Sequence, residues 1–192
     1  MRVLFLSWLA VMFVTPVYAE TFSGTCSIRF EGASFLGDFD GEGACLPFDV
    51  EISKPDSHGR RTVKPWEILI PVEGMETGFQ PRDKSMYRMF ESEKFPNIRG
   101  GLGKFDPDAL LATLRNTPES ARFDFALTMH GEQKSVVATV RRFNETKERL
   151  QIVFSFVAEL EAHGMRRPTL MGVPLVGETI TIEVATELLR IE

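Results

Sequence analysis

Residues 78–98 have the sequence GFQPRDKSMYRMFESEKFPNI and follow an apolar run at 66–72. Met86, Met89 and Phe90 recur at helical spacing, which predicts a helix of about ten residues with one apolar face. Asp83 is expected to cap this helix by accepting backbone N–H groups of its first turn. Pro96 disfavours helical geometry at the preceding residue and is expected to end the element. A lone helix between strands typically plugs or flanks a β-sheet.

Most of the chain around this stretch alternates between apolar and polar residues with a period of two, which is typical of half-buried β-strands. Short polar segments that separate the runs predict turns and therefore antiparallel pairing. About eight such strands form either a closed barrel or a sandwich, and the alternation leaves both open. Leucines at 110, 111 and 114 predict a second short helix or a capping loop. The alternating runs lie at 45–52, 66–72, 122–130, 149–157 and 179–188.

The N-terminus carries the pattern of a secretory signal peptide. Arg2 precedes an apolar stretch at 3–14, and Val17-Tyr18-Ala19 resembles a cleavage site. The stretch is too short for a typical membrane span, although an uncleaved anchor is the alternative. Cleavage after Ala19 leaves residues 20–192, which fit one domain, and no later stretch is long and apolar enough to cross a bilayer. We therefore expect a periplasmic or secreted protein.

The charge balance argues against some partners. The formal net charge is −5 at pH 7, and removal of Arg2 makes the chain more acidic. Nucleic-acid affinity depends on neutralisation of phosphates by Lys and Arg, so a nucleic-acid partner is not expected. Electrostatic attraction to anionic lipid is disfavoured for the same reason.

The two cysteines, Cys26 and Cys45, are predicted to form one disulfide because an oxidising compartment favours it. Cys26 alternates with inward-facing residues, whereas Cys45 shares its phase with Asp49 and is expected to face outward. A β-bulge near residues 41–43 reconciles the two orientations. Two unpaired cysteines are the alternative. Two cysteines at this spacing indicate neither a metal site nor a redox motif.

No set of residues indicates catalysis, so neither an enzyme nor a cofactor or metal is expected. His58, His130 and His163 lie in separate segments without metal-ligand spacing. His130 precedes a glycine, which favours a turn residue over a catalytic one, and a lone imidazole makes no nucleophile or metal site. Arg82 has two interpretations. It either pairs near the helix start, which we favour, or faces the polar head of a ligand.

Several motifs occur in an order that resembles the YceI-like family of extracytoplasmic lipid-binding proteins. They are IRFEG at 28–32, TG at 77–78, RDK at 82–84, FP at 95–96, and LTMHG at 127–131 with Lys134. The resemblance spans about residues 22–188. It implies a mainly β, single antiparallel lipocalin-like barrel with one or two short helices. It also implies a long apolar channel that holds a polyprenyl or quinone-like lipid, and a possible homodimer.

The resemblance and the alternation together predict the apolar wall of that channel. The wall residues are Trp66, Ile68, Ile70, Met86, Met89, Phe90, Phe123, Phe125, Leu127, Ile152, Phe154, Phe156, Ile180, Ile182 and Val184. The three helix residues among them are expected to line or cover one end of the channel. The chain contains 16 phenylalanines, which suit either a cavity wall or a filled core. The alternative function is therefore a non-enzymatic envelope-stress or interaction module with the same barrel and no channel.

Overall fold

The computed structural model describes residues 19–35, 37–118 and 121–191. The predicted signal peptide lies outside this part of the chain except for Ala19. The strands are β1 (Glu20–Ser34), β2 (Phe39–Ala44), β3 (Phe48–Ile52), β4 (Trp66–Pro71), β5 (Asn97–Leu102), β6 (Arg122–Met129), β7 (Glu132–Glu145), β8 (Arg149–Glu159), β9 (Thr169–Leu170), β10 (Val173–Pro174) and β11 (Val176–Arg190). The α-helices are α1 (Gln80–Phe90) and α2 (Pro107–Asn116).

The main sheet is antiparallel throughout, which confirms the predicted fold class. Its strand order is β2-β1-β11-β8-β7-β6-β5-β4, and β3 pairs with the other end of β1. The sheet curls until its two ends meet, where the Leu46 N–H donates to the Leu69 carbonyl at 2.8 Å. Glu42 and Glu76 exchange a further pair of backbone hydrogen bonds. The result is a barrel with an incompletely laddered seam, because in the described residues only isolated backbone bonds join the β2 end of the sheet to its β4 end.

Helix α1 is present as predicted, but its two ends are made differently. Phe79 is the N-cap residue and gives no side-chain cap bond. The Asp83 carboxylate instead accepts the Thr77 N–H at 2.8 Å and the Thr77 hydroxyl at 2.6 Å. Asp83 lies one turn inside the helix, so it ties the preceding loop to α1 rather than capping free N–H groups. An acidic side chain in this first turn still complements the helix dipole.

The C-terminal end of α1 lies well before Pro96. Glu91 adopts a left-handed conformation with φ 49°, and its N–H bonds back to the Arg88 carbonyl. The Ser92 N–H reaches the Tyr87 carbonyl at 3.0 Å, which completes a helix-ending turn. The expectation that Pro96 ends the helix is therefore wrong.

The cysteine region contains the expected bulge at a different place. Strand β1 pairs Ser27 with Ala44 in β2 but Gly24 with Phe48 in β3. One extra residue therefore lies between Ala44 and Phe48, and not near residues 41–43. The phase change turns Cys45 inward opposite Cys26, with a Cα–Cα distance of 5.4 Å and a disulfide between them. The expected outward orientation of Cys45 is therefore wrong.

Helix α2 confirms the helical alternative for the leucine-containing segment. The Asp106 carboxylate caps it by accepting the N–H groups of Asp108 and Ala109. Leu114 of this helix is fully buried. Neither of the two α-helices in the described part of the chain is long and apolar enough to cross a bilayer.

Candidate functional site

The barrel interior holds two apolar cavities that adjoin each other. The α2 chamber has a volume of about 490 Å³ and is covered by Leu110, Leu111 and Leu114 of α2. The α1 chamber has a volume of about 550 Å³ and is flanked by Met86 and Met89 of α1. Each volume falls in the range of small-molecule binding sites.

The two chambers meet at a waist whose five side chains line both. These are Ile28, Ile70, Leu127, Phe156 and Val184, which come from β1, β4, β6, β8 and β11. All five are apolar and at least partly buried. The barrel interior therefore presents one apolar surface that continues from beneath α2 to the side of α1.

All fifteen predicted wall residues line one chamber or both. Those at the α2 chamber are Trp66, Ile68, Ile70, Phe123, Phe125, Leu127, Ile152, Phe154, Phe156 and Val184. Those at the α1 chamber are Ile70, Met86, Met89, Phe90, Leu127, Phe156, Ile180, Ile182 and Val184. The strand residues share the inward face because their alternation places every second side chain there.

Sequence reasoning missed the part of the wall that β1, β3 and α2 supply. Phe22, Ile28 and Val50 line the α2 chamber, as do the three leucines of α2. The alternation of Cys26, Ile28 and Phe30 already indicated an inward face for β1. No pattern placed α2 over the barrel end, because its position depends on tertiary contacts.

Four phenylalanines form a connected aromatic wall in the α2 chamber. Phe123 and Phe154 pack edge to face at 5.1 Å, and Phe125 and Phe156 do so at 4.9 Å. Phe154 also lies 6.4 Å from Phe156. Such ring pairs add roughly 0.5–1.5 kcal/mol each beyond area burial. The phenylalanines therefore stiffen one side of the chamber by packing on one another and leave its centre open.

Three buried polar atoms of residues that line the chambers have no hydrogen-bond partner among the described residues. Trp66 Nε1 and Thr186 Oγ1 belong to the α2 chamber, and Arg82 Nε belongs to the α1 chamber. The Arg82 guanidinium lies over the rings of Phe39 and Phe79, 5.5 and 5.9 Å from their centroids. Buried donors without partners are costly, and a ligand with an acceptor group relieves that cost.

His130 has a structural role at the hairpin between β6 and β7. His130 and Gly131 both have positive φ, as a two-residue hairpin turn requires. His130 Nε2 lies 3.0 Å from a Glu91 carboxylate oxygen, and its ring packs 4.7 Å from that of Phe95. The residue therefore ties the end of α1 to the sheet. No cluster of three His, Cys, Asp or Glu residues suited to a metal ion occurs in the part of the chain that the structure describes.

Ion pairs fasten both ends of α2 over its chamber. Arg61 bonds Asp108 in the first turn, and Arg115 in the last turn bonds Glu145 of β7 at 2.6 Å. The hydrogen bond from Arg61 lowers the pKa of Asp108. The hydrogen bond from Arg115 likewise lowers the pKa of Glu145. Both carboxyls therefore stay ionised, and strongly paired with their arginines, to a lower pH than unpaired carboxyls do.

Acid is expected to loosen α2 before it unfolds the barrel. A carboxyl whose pKa is lowered by folding contributes stability above its ordinary value, near 4, and loses it as the pH falls through the folded pKa. Hydrogen exchange of the α2 amides is expected to be slow at pH 7 and to accelerate, after correction for intrinsic rates, below pH 4. The double variant Arg61→Gln/Arg115→Gln is the control, because it should show fast exchange at both pH values. Equal protection in the unsubstituted protein at both pH values would contradict this role of the ion pairs.

Comparison with known proteins identifies the fold. A family model described as the YceI-like domain matches residues 21–188. BcnA of Burkholderia cenocepacia has a TM-score of 0.59 at 10% identity, covering 84% of this chain and 95% of that one. A polyisoprenoid binding domain from Saccharophagus degradans, implicated in plant cell wall breakdown, has a TM-score of 0.60 at 11% identity, covering 87% and 97%. No curated protein matches the chain. At such identities the two structures show the shared fold alone.

Proposed function

Since this chain belongs to the YceI-like family, we propose that it is a binding protein, not an enzyme, that holds a long isoprenoid-type lipid inside the barrel. The observation that carries the proposal is the continuous apolar surface of the two chambers and their waist. The ligand class is polyprenyl or quinone-like. The polyisoprenoid binding domain from Saccharophagus degradans has the same fold.

Burial of apolar surface supplies the affinity in this proposal. Removing apolar surface from water contributes about 25 cal/mol per Å². A long hydrocarbon therefore needs few polar contacts, and the free Nε of Arg82 and indole N–H of Trp66 are candidates for them. The predicted signal peptide and the disulfide support a location outside the cytoplasm, in the periplasm or secreted.

Native mass spectrometry of the mature protein, purified from a bacterial periplasm and followed by lipid extraction, tests the proposal. A stoichiometric isoprenoid on the protein is expected. The same spectra report whether the protein is a monomer or the homodimer suggested by the resemblance. A clean apo mass that does not change after incubation with polyprenyl and quinone lipids would favour the alternative, an interaction module with a filled core.

Filling the α2 chamber from Gly100 is expected to weaken lipid binding about tenfold, or about 1.4 kcal/mol. A Cβ at Gly100 meets nothing nearer than Phe125 at 3.9 Å, so the side chain of Gly100→Leu has room to enter the chamber. Folding should be unimpaired, because glycine inside a strand is itself unfavourable. The measurement is a titration with a fluorescent polyprenyl analogue.

Gly101→Leu is the matched control for Gly100→Leu. Gly101 pairs with the exposed Glu67, and a Cβ there meets Glu67 and Ala126, so its side chain lies on the outer face of the same strand. Its binding should equal that of the unsubstituted protein. If Gly100→Leu binds lipid as well as Gly101→Leu does, the α2 chamber does not hold the ligand.

A further inference from the structure

The mouth of the α1 chamber is surrounded by apolar side chains that point into solvent. Half of the strongly exposed large apolar residues in the described part of the chain lie here. They are Phe35, Phe79, Leu170, Met171 and Val173, with exposed fractions from 50% to 99%. Single exposed apolar residues are normal, but a cluster at one place marks an interaction surface.

Three of them, Leu170, Met171 and Val173, form the tip of a small hairpin, β9–β10. Met171 and Gly172 are its turn residues, with φ 51° and 83°, and Met171 is 99% exposed. A turn with two positive φ angles favours Asn-Gly, so methionine at the first position costs turn stability without gaining any packing. Every residue from 169 to 174 is exposed. Because these side chains are exposed, the apolar tip buries little surface within the fold.

Backbone bonds fix this hairpin to the chamber mouth. The Leu175 N–H donates to the Pro168 carbonyl at 2.8 Å, and both residues line the α1 chamber. The Phe35 N–H donates to the Leu175 carbonyl at 3.0 Å, which places Phe35 beside the hairpin base. Phe79 lines the α1 chamber itself. The apolar rim is therefore continuous with the apolar cavity.

We propose that this rim, made of the hairpin tip, Phe35 and Phe79, is a docking surface for a phospholipid bilayer. Three residue steps separate Pro168 from the tip, which is roughly 10 Å in an extended strand. That reach matches the depth of about 5–10 Å at which apolar side chains bury in the interfacial region of a membrane. The α1 chamber then opens directly onto the acyl region.

Two features favour a bilayer over a protein partner that adds a strand. Pro168 precedes the hairpin, Pro174 is the last residue of β10, and neither has an N–H to donate, so the hairpin edges are poor templates for strand addition. The charges around the mouth are mixed: Arg82 and Asp38 line it, and Arg167 near the hairpin base is paired with Glu161 at 2.9 Å. Balanced charge suits zwitterionic phospholipid headgroups and does not require an anionic surface.

Vesicle flotation of the full mature protein tests the docking surface, with phosphatidylcholine vesicles and with phosphatidylcholine mixed with phosphatidylglycerol. The unsubstituted protein should float with both. Leu170→Ser/Met171→Asn should lower the floated fraction about tenfold, because two apolar side chains leave the tip. Met171→Asn produces the favoured Asn-Gly turn, so loss of the hairpin cannot explain the result.

The control variant Val137→Asn/Val157→Asn removes two side chains that are about half exposed on the outer barrel face, and it should float as the unsubstituted protein does. Failure of the unsubstituted protein to float, or equal flotation of the tip variant, overturns the docking surface. A dimer that is detected by sedimentation and that the tip substitutions dissociate would also overturn it, because a second copy of the chain would then cover the rim. Uptake of lipid from the membrane rests on the proposed function, which native mass spectrometry tests separately: a protein that floats but carries no lipid refutes only that function.

Discussion

Replacing Phe154 with arginine is expected to weaken lipid binding by at least about a hundredfold, or about 2.7 kcal/mol. Phe154 lies in the middle of the aromatic wall of the α2 chamber, between Phe123 and Phe156. A guanidinium at this position keeps water in the chamber, and a hydrocarbon ligand must displace that water without satisfying the charge. The measurement is lipid occupancy by native mass spectrometry together with a titration of a fluorescent polyprenyl analogue.

Val157→Arg is the matched control for Phe154→Arg. Val157 lies on the same strand, pairs with Thr181 and is 53% exposed on the outer face. It should bind lipid normally, because its charge remains in water. Phe154→Gln, which introduces a polar group without a charge, covers the case in which the arginine variant does not fold. A folded Phe154→Arg protein that still carries lipid would show that the wall assignment is wrong.

The inward faces of the strands could be predicted from the sequence. With a period of two, every second side chain points to the same face, so each strand has only two possible orientations. In β8, Ile152, Phe154 and Phe156 fall on one side, and burying that side decides the orientation. The same logic failed at Cys45, because one inserted residue reverses the phase of everything that follows it. The alternation of apolar and polar residues predicts which way side chains face within one strand, but it does not reveal a bulge between two strands.

Helix ends were harder to predict because several residue types can form the hydrogen bonds or backbone turns that begin and end a helix. Asp83 is a frequent capping residue, yet its carboxylate bonds Thr77 from inside the helix. Glu91 ends α1 in a left-handed conformation that usually favours glycine. Neither choice is visible in a single sequence, because the partner atoms come from the loop before the helix and from its last turn.

The sequence could not predict that the barrel has an open cavity at its centre, because the same phenylalanines could have packed against one another across the barrel. Phe123 and Phe154 instead pack beside each other on neighbouring parts of one wall. Whether opposite walls touch depends on the curl of the sheet and on the two helices at its ends. These are properties of the whole fold and not of any strand.

Reduction of the Cys26–Cys45 disulfide is expected to lower the free energy of unfolding by about 3 kcal/mol. The link closes a loop of 19 residues in sequence separation, and loops of that size restrict the unfolded chain by about this amount. For a domain of this length, the midpoint of thermal unfolding should fall by roughly 6–12 °C. The measurement is thermal unfolding with and without reductant, with thiol labelling to establish that reduction is complete.

The position of the disulfide links this stability to the α2 chamber. Cys26 lines the α2 chamber, and the residue after Cys45 donates the Leu46–Leu69 hydrogen bond at the barrel seam. Reduction should therefore also speed lipid release by loosening that seam. The variant Cys26→Ala/Cys45→Ala separates the cross-link from packing, because its unfolding midpoint should be low and insensitive to reductant. An unsubstituted protein whose midpoint stays unchanged after full reduction would show that the cross-link does not stabilise the barrel.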